Sequence, residues 1–359
     1  MISRSLSTLA AAALICLLAA PSQAQQEWSF EGDRLLLTNL AGEVTIRGHS
    51  GSRIVVRATP GGADGERIKF EIKHGGRAEF HAVYPLKESL NYRYSRRGGG
   101  SSQIRVENWL DESAFMEELY DEVSRRDRIN VGDRGRDALE AWVDLEILVP
   151  KGVASRIVLA VGKLTASNVE GDVDIDTHSG PVNADNIRGN ARIDTGSGSV
   201  EARSIRGNLN VDTGSGRVTV SEVDGELVHI DTGSGSVSVD GARARSLEID
   251  TGSGSVRTAR IDAENSLIDT GSGSVTLDLM RLSSGSHAID TGSGGVTITL
   301  PEDASVRILA ETGSGGITLE VPNAMLRKMS RDEVELEIGG GNASMQIDTG
   351  SGGITIRRR

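Results

Sequence analysis

The stretch LVHIDTGSGSVSVDGARARSLEIDTGSGSV, residues 227–256, holds the string DTGSGSV twice, with its acids at Asp231 and Asp250. The same turn motif recurs outward in both directions. It starts at Asp176, Asp194, Asp212, Asp231, Asp250, Asp269 and Asp290, then at Glu311 and Asp348. The steps are 18, 18, 19, 19, 19, 21, 21 and 37 residues, so the last is close to two periods. A fixed period of this length is the mark of a stacked repeat. Just before the acid stand Ile193, Val211, Ile230, Ile249 and Ile268, and six residues after it Val200, Val218, Val237, Val256 and Val275. Polar residues such as Thr219, Ser238 and Arg257 alternate with the apolar columns. Period-two alternation of β-branched residues predicts strands buried on one face.

The expected fold is therefore all-β: a single-chain β-solenoid with coils of about 18–21 residues and two short strands per coil. One coil cannot bury its apolar face alone, but stacked coils turn each column into a continuous core. Composition agrees. The chain has 45 glycines and 7 prolines in 359 residues, without the every-third-glycine period of collagen. Its eleven aromatic residues all lie between Trp28 and Trp142. A thin aliphatic core does without large space-fillers.

Residues 1–24 read as a secretory signal peptide, with Arg4, an apolar run from Leu9 to Ala20, and a small-residue site ending at Ala24. The expected location is periplasmic or cell-surface, with no transmembrane segment in the mature chain. The only cysteine, Cys16, falls inside that leader, so neither disulfides nor thiolate sites are expected to hold the fold. Formal net charge is -12, a poor match to nucleic acid.

Residues 25–86 are expected to form an N-terminal β cap, with Asn39-Leu40-Ala41-Gly42 as the turn of a degenerate coil. Residues 87–138 break the pattern and predict an insertion with one amphipathic helix over 111–126, capped by Asp111, with Ala114, Phe115, Leu119 and Val123 on its apolar stripe. The repeat domain then runs over 139–359. Within it 322–338 is expected to be an irregular coil with a short helix. The terminal Arg357-Arg358-Arg359 is expected to blunt the last strand edge.

The runs VDLEILVPKGV (143–153) and GKLTASNVEGDVDIDTHSGPV (162–182), followed by serial DTGSGSV, resemble the DUF4097 family, bacterial β-strand-repeat proteins labelled as candidate adhesins and similar to adhesin-head GIN domains. The resemblance covers residues 28–359 apart from the insertion. It implies an exported envelope solenoid and brings no catalytic residues with it.

The residue-level candidates are Asp176, Asp194, Asp212, Asp231, Asp250, Asp269, Asp290 and Asp348. The D-T-G string matches the aspartic-protease signature, but that chemistry needs two acids facing each other and sharing a proton. Eight equivalent acids stacked side by side predict no such pair. Neighbouring charges about 4.8 Å apart repel by about 0.9 kcal/mol in water. Asx-type turns are expected to offset this, each carboxylate accepting turn amides and having its pKa lowered; bridging calcium is the alternative. The glycine string lacks the following helix of a phosphate loop. His178, His229 and His287 occupy different columns and form no triad. A carbohydrate-cleaving solenoid would normally carry exposed aromatics, absent from the repeats, and the threonine column is too interrupted for an ice-binding face. The sequence thus predicts a non-enzymatic structural or interaction (adhesin-like) protein without a required cofactor. The expected partner is an envelope protein or cell-surface glycan, and an acidic calcium-binding solenoid is the alternative.

Overall fold

The computed structural model describes residues 24–359, apart from 75–76, 95–100, 108–113, 134 and 136. The predicted leader, all but Ala24, and the proposed cap Asp111 lie outside the described residues. The described chain is nearly all strand, and 28 strands belong to one continuous hydrogen-bonded sheet wound into a solenoid.

Each coil contributes one strand to each of two faces. On the first face Val173–Ser179, Ala191–Ser197, Leu209–Ser215 and Leu227–Thr232 follow one another in parallel register. On the second, Val182–Arg188, Val200–Arg206 and Val218–Asp224 do the same. The alternating pattern seen in the sequence sets which side chains meet. Ile175, Ile193, Val211, Ile230, Ile249 and Ile268 form one buried row, and Val182, Val200, Val218, Val237, Val256 and Val275 another. Burying an aliphatic side chain of this size contributes about 1.5–3 kcal/mol. Repetition along the axis, not any single cluster, therefore holds the fold.

Three bends shape each coil: the D-T-G-S-G corner, a left-handed corner within the second-face strand, and a return turn at Gly189, Gly207 and Gly225. At the D-T-G-S-G corner the second glycine is required by close approach. A Cβ on Gly235 would lie 1.6 Å from the carbonyl oxygen of Gly216 one coil below, and one on Gly254 would lie 1.8 Å from that of Gly235. The second-face strand bends at a left-handed residue, which is Asn186, Ser204, Glu222, Gly241 and Arg260 in successive coils, with φ between 53° and 75°. Only one of these is glycine, so this corner has no sequence signature.

The N-terminal segment joins the stack itself. Arg34–Ala41 and Val44–His49 pair in parallel with Ala154–Val161 and Leu164–Ser167, so residues 34–49 form a true coil whose turn is the predicted Asn39–Gly42. Beyond it the end is closed by non-repeat strands, among them Lys69–Lys73, Gln26–Phe30 and Ile54–Gly61, over an aromatic cluster of Trp28, Phe70 and Phe80. Tyr84 ties this end down: its buried hydroxyl lies 2.9 Å from Asn39 Oδ1 and from the Ala41 carbonyl.

The insertion carries more than a helix. Asn91–Arg93, Ser101–Arg105, Arg128–Gly132 and Leu139–Glu140 form a separate four-stranded sheet. The helix spans Ala114–Leu119, shorter than the expected 111–126, and Met116, Tyr120 and Val123 are buried around it. Strands this short leave too few residues for an alternating pattern to be read.

The C-terminal end departs from expectation in two ways. Residues 322–338 are not an irregular coil with a helix: Met325–Met329 and Glu333–Ile338 form an antiparallel hairpin on Val306–Thr312. The chain then turns back, and Ala343–Thr349 inserts between Ser286–Thr291 and Val306–Thr312. Ile354–Arg358 likewise pairs on one side with Val296–Leu300 and on the other with Ile317–Glu320. The terminal arginines therefore do not blunt an outer edge. Arg357 donates to Thr299 at 3.0 Å and Arg359 pairs with Asp278. The outermost strands are Met325–Met329 and Ile317–Glu320.

Candidate functional site

All eight predicted aspartates fall in one row. Asp176, Asp194, Asp212, Asp231, Asp250, Asp269, Asp290 and Asp348 are consecutive register partners, with Val158 before the row and Glu311 after it. Each sits between a buried aliphatic residue and a buried threonine, which leaves the carboxylate on the outer side.

From the coil of Asp231 onward, threonines and not the carboxylates close the turns. Thr232, Thr251, Thr270 and Thr291 each accept the amide of the glycine three residues on, at 3.0–3.1 Å. The hydroxyl proton then goes to the neighbouring coil: Thr251 donates to the Gly235 carbonyl at 3.1 Å, Thr270 to Gly254 at 3.0 Å and Thr291 to Gly273 at 2.9 Å. A hydroxyl has one donor and two acceptor sites, so one threonine can close its own turn and clip the next. In the earlier coils Thr177 donates to Thr195 instead, at 2.8 Å.

Three of the acids titrate opposite to the Asx-turn expectation. The carboxyl of Asp231 is pushed above its ordinary pKa by burial and then by Asp212 and Asp250. Asp269 is raised by burial and by Asp250 and Asp290. Asp194 is raised by burial and by Asp212, with Arg192 partly opposing. Arg156 lies 3.5 Å from Asp176 at the start of the row. The row therefore carries charge that the turn does not relieve. Its members follow one another along a single line, and among the described residues no group of three His, Asp or Glu side chains is placed to hold a metal ion.

The histidines are dispersed, as expected. His229 lies 3.3 Å from Glu248 on the outer side. His287 is buried beside Ser266 at 3.1 Å, and burial pushes its pKa down to about 4. His178 is exposed at the first repeat turn; partial burial lowers its pKa, partly offset by a hydrogen bond to the Gln103 backbone of the insertion.

The sequence reading passed over a charged row at the left-handed corner. Arg260 reaches across coils to Asp240 at 2.7 Å and Glu222 at 2.8 Å, and Asp262 receives Arg243 at 3.5 Å and Arg281 at 2.6 Å. The signal lay in opposite charges one period apart, visible only once the coil register is known.

Parallel coils, a threonine-clipped turn and a row of acids define a stacked β-solenoid of the repeat class. The family model described as Toastrack DUF4097 matches residues 143–357, and the chain belongs to that family. The match begins after the insertion, while the structure places residues 34–49 in the same stack. No curated protein matches the chain significantly. Among solved structures, a candidate cell adhesion protein from Clostridium sporogenes aligns over 94% of this chain and 100% of that one, at 13% identity and a TM-score of 0.19. Likeness at that level carries no argument about function. Among the described residues no helix is long and apolar enough to cross a membrane.

Proposed function

We propose that the protein is a non-enzymatic interaction module of the bacterial envelope, exported and adhesin-like, which binds through its extended polar β surface. One observation carries this reading. The outward positions repeat coil after coil in strict register, so the surface offers a long row of similar groups, not one convergent set. Catalysis by paired carboxylates needs unlike environments for two facing acids, and the acids here are equivalent neighbours in a line. The test is sedimentation of the purified protein with isolated envelopes, run beside peptide and glycan turnover assays. Saturable co-sedimentation without turnover is expected. Turnover that disappears in a single variant such as Asp231→Asn, but survives Asp269→Asn, would show a localised active site and end this reading.

The stacking of one carboxylate on the next along the row supports a second reading, in which divalent cations bridge neighbouring coils and stabilise the solenoid. Its signature is a Tm that rises in calcium chloride above the value in sodium chloride of equal ionic strength, and falls again with a chelator.

A further inference from the structure

The two faces of the solenoid end at different levels. On the second face the last strand is Ile317–Glu320, which pairs with Ile354–Arg358 on one side only. On the first face two further strands, Glu333–Ile338 and Met325–Met329, follow Val306–Thr312, the companion of Ile317–Glu320 in its coil. The C-terminal end is therefore a step two strands high, with one free strand edge at its top and another at its foot.

The step leaves apolar groups uncovered. Of the five large hydrophobic side chains exposed among the described residues, three lie in the single strand Met325–Met329: Met325 at 61%, Leu326 at 50% and Met329 at 64%. Leu326 and Met329 are register partners of Leu336 and Val334, both fully buried, so they continue the inward side of the sheet past the level where the opposite face stops. At the foot, Ile317 and Leu319 are only partly buried, although their partners Ile354 and Ile356 one coil further in are buried. A free apolar strand edge is a template for another strand.

The N-terminal end is built otherwise. Its outermost strand, Lys69–Lys73, also pairs on one side only, but it shows Lys69, Glu71 and Lys73 to solvent while Phe70 packs into the aromatic cluster. Charges on an edge oppose further pairing. With one end open and the other closed, copies of the chain meet open end to open end.

We propose that the C-terminal end is the contact between two copies of this chain, related by a two-fold axis. A step turned over by such an axis fits its own outline, and the two-strand overhang of each copy fills the gap beyond Ile317–Glu320 of the other. The free edge of Ile317–Glu320 then pairs with Met325–Met329 of the other copy, and Leu326 and Met329 come to rest against Ile317 and Leu319. Charge agrees. Residues 325–331 carry Arg327, Lys328 and Arg331 and no acid, whereas the foot of the step ends in Glu320, which is exposed and enters no ion pair among the described residues. An unrelated extended peptide would cover one edge and leave the other free. A second copy covers both edges of each chain at once, and the contact closes at two copies.

The experiment is sedimentation velocity of the purified protein from about 1 μM to about 1 mM, with hydrogen–deuterium exchange at both ends of that range. A monomer–dimer equilibrium is expected, and exchange at 317–320 and 325–329 should slow as dimer forms. Leu326→Asp and Met329→Asp should each raise the dimer Kd by about tenfold or more. Both side chains are exposed in the single chain, so neither change disturbs the core, and the exchange measurement needs no variant. Leu267→Asp, at an exposed apolar residue five strands from Met325–Met329, should leave the dimer intact. A monomer throughout, an open series of larger oligomers, or a dimer indifferent to Leu326→Asp and Met329→Asp would overturn the proposal. The contact does not depend on what the polar faces bind, so its failure would leave the interaction-module reading standing.

Discussion

Asp290 stands in register with Asp348, and not with Glu311, the next repeat acid along the chain. The last coil in sequence is thus second from the end in space. Ala343–Thr349 is hydrogen-bonded on both sides, whereas Met325–Met329 has a neighbour on one side only and is exposed throughout. Chain ends normally exchange first. Here hydrogen–deuterium exchange should find 343–349 among the best protected segments, with 325–329 and 317–320 exchanging sooner. Early exchange of 343–349 would contradict the inserted coil.

Both corners favour glycine, but for different reasons and by different amounts. Gly235→Ala drives a methyl group into the Gly216 carbonyl and should destabilise by about 1–3 kcal/mol or more. Ser204 holds φ at 53°, a region costing roughly 1–2 kcal/mol for a residue with a Cβ. Ser204→Gly relieves that strain against the added backbone entropy of about 0.5–1 kcal/mol. It should be neutral or stabilising by up to about 1 kcal/mol. Paired urea titrations measure both. Equal losses would mean that close approach between coils does not set the first corner.

How much of this was legible beforehand depends on which physical rule decided each feature. The inward Ile230 and Val237 rows and the turn at Asp231 follow from local alternation and glycine placement, which the sequence displays directly. The order of the last coils does not. The repeats at Asp290, Glu311 and Asp348 offer nearly the same columns, so pattern alone cannot say which stacks on which. The left-handed corner was hidden because Asn186, Ser204, Glu222 and Arg260 share a backbone conformation and no side-chain chemistry. At the site, the row of acids was readable, but its role was assigned to the wrong neighbour. Asp231 and Thr232 both have oxygens able to cap the turn, and only burial of the threonine decides between them.

That assignment has a direct test. Thr251→Val keeps shape and β-branching while removing the hydroxyl. The Gly254 amide loses its acceptor and the Gly235 carbonyl its donor, both inside the turn. Loss of a buried partner costs about 1–3 kcal/mol. Asp250→Asn, in the same turn, removes no recorded hydrogen bond and should not destabilise. If chemical denaturation shows Asp250→Asn as the costlier change, the carboxylate and not the hydroxyl secures the corner.

The acid row should also leave a mark on the pH dependence of stability. Burial and the neighbours Asp212 and Asp250 raise the folded-state pKa of Asp231 above its unfolded value, taken as 3.8. The folded state then binds the proton more readily than the unfolded one. By linkage, the carboxylate's destabilising contribution is fully present above the raised pKa, shrinks as pH falls through it, and is gone below 3.8. Asp231→Asn removes the charge at every pH. The variant should therefore melt above the wild type at pH 7, and the gap should close as the pH is lowered toward 3. Raising salt at pH 7 should narrow it as well, since about 1 M salt screens charges beyond about 3 Å. Acids such as Glu337 and Asp240 have pKa values lowered by Arg327 and Arg260 and pull the whole-protein curve the other way, so the comparison must be made between variant and wild type. A gap that stays constant from pH 7 to pH 3 would show that Asp231 feels no charge from its neighbours, and that the coils do not stack their acids in one row.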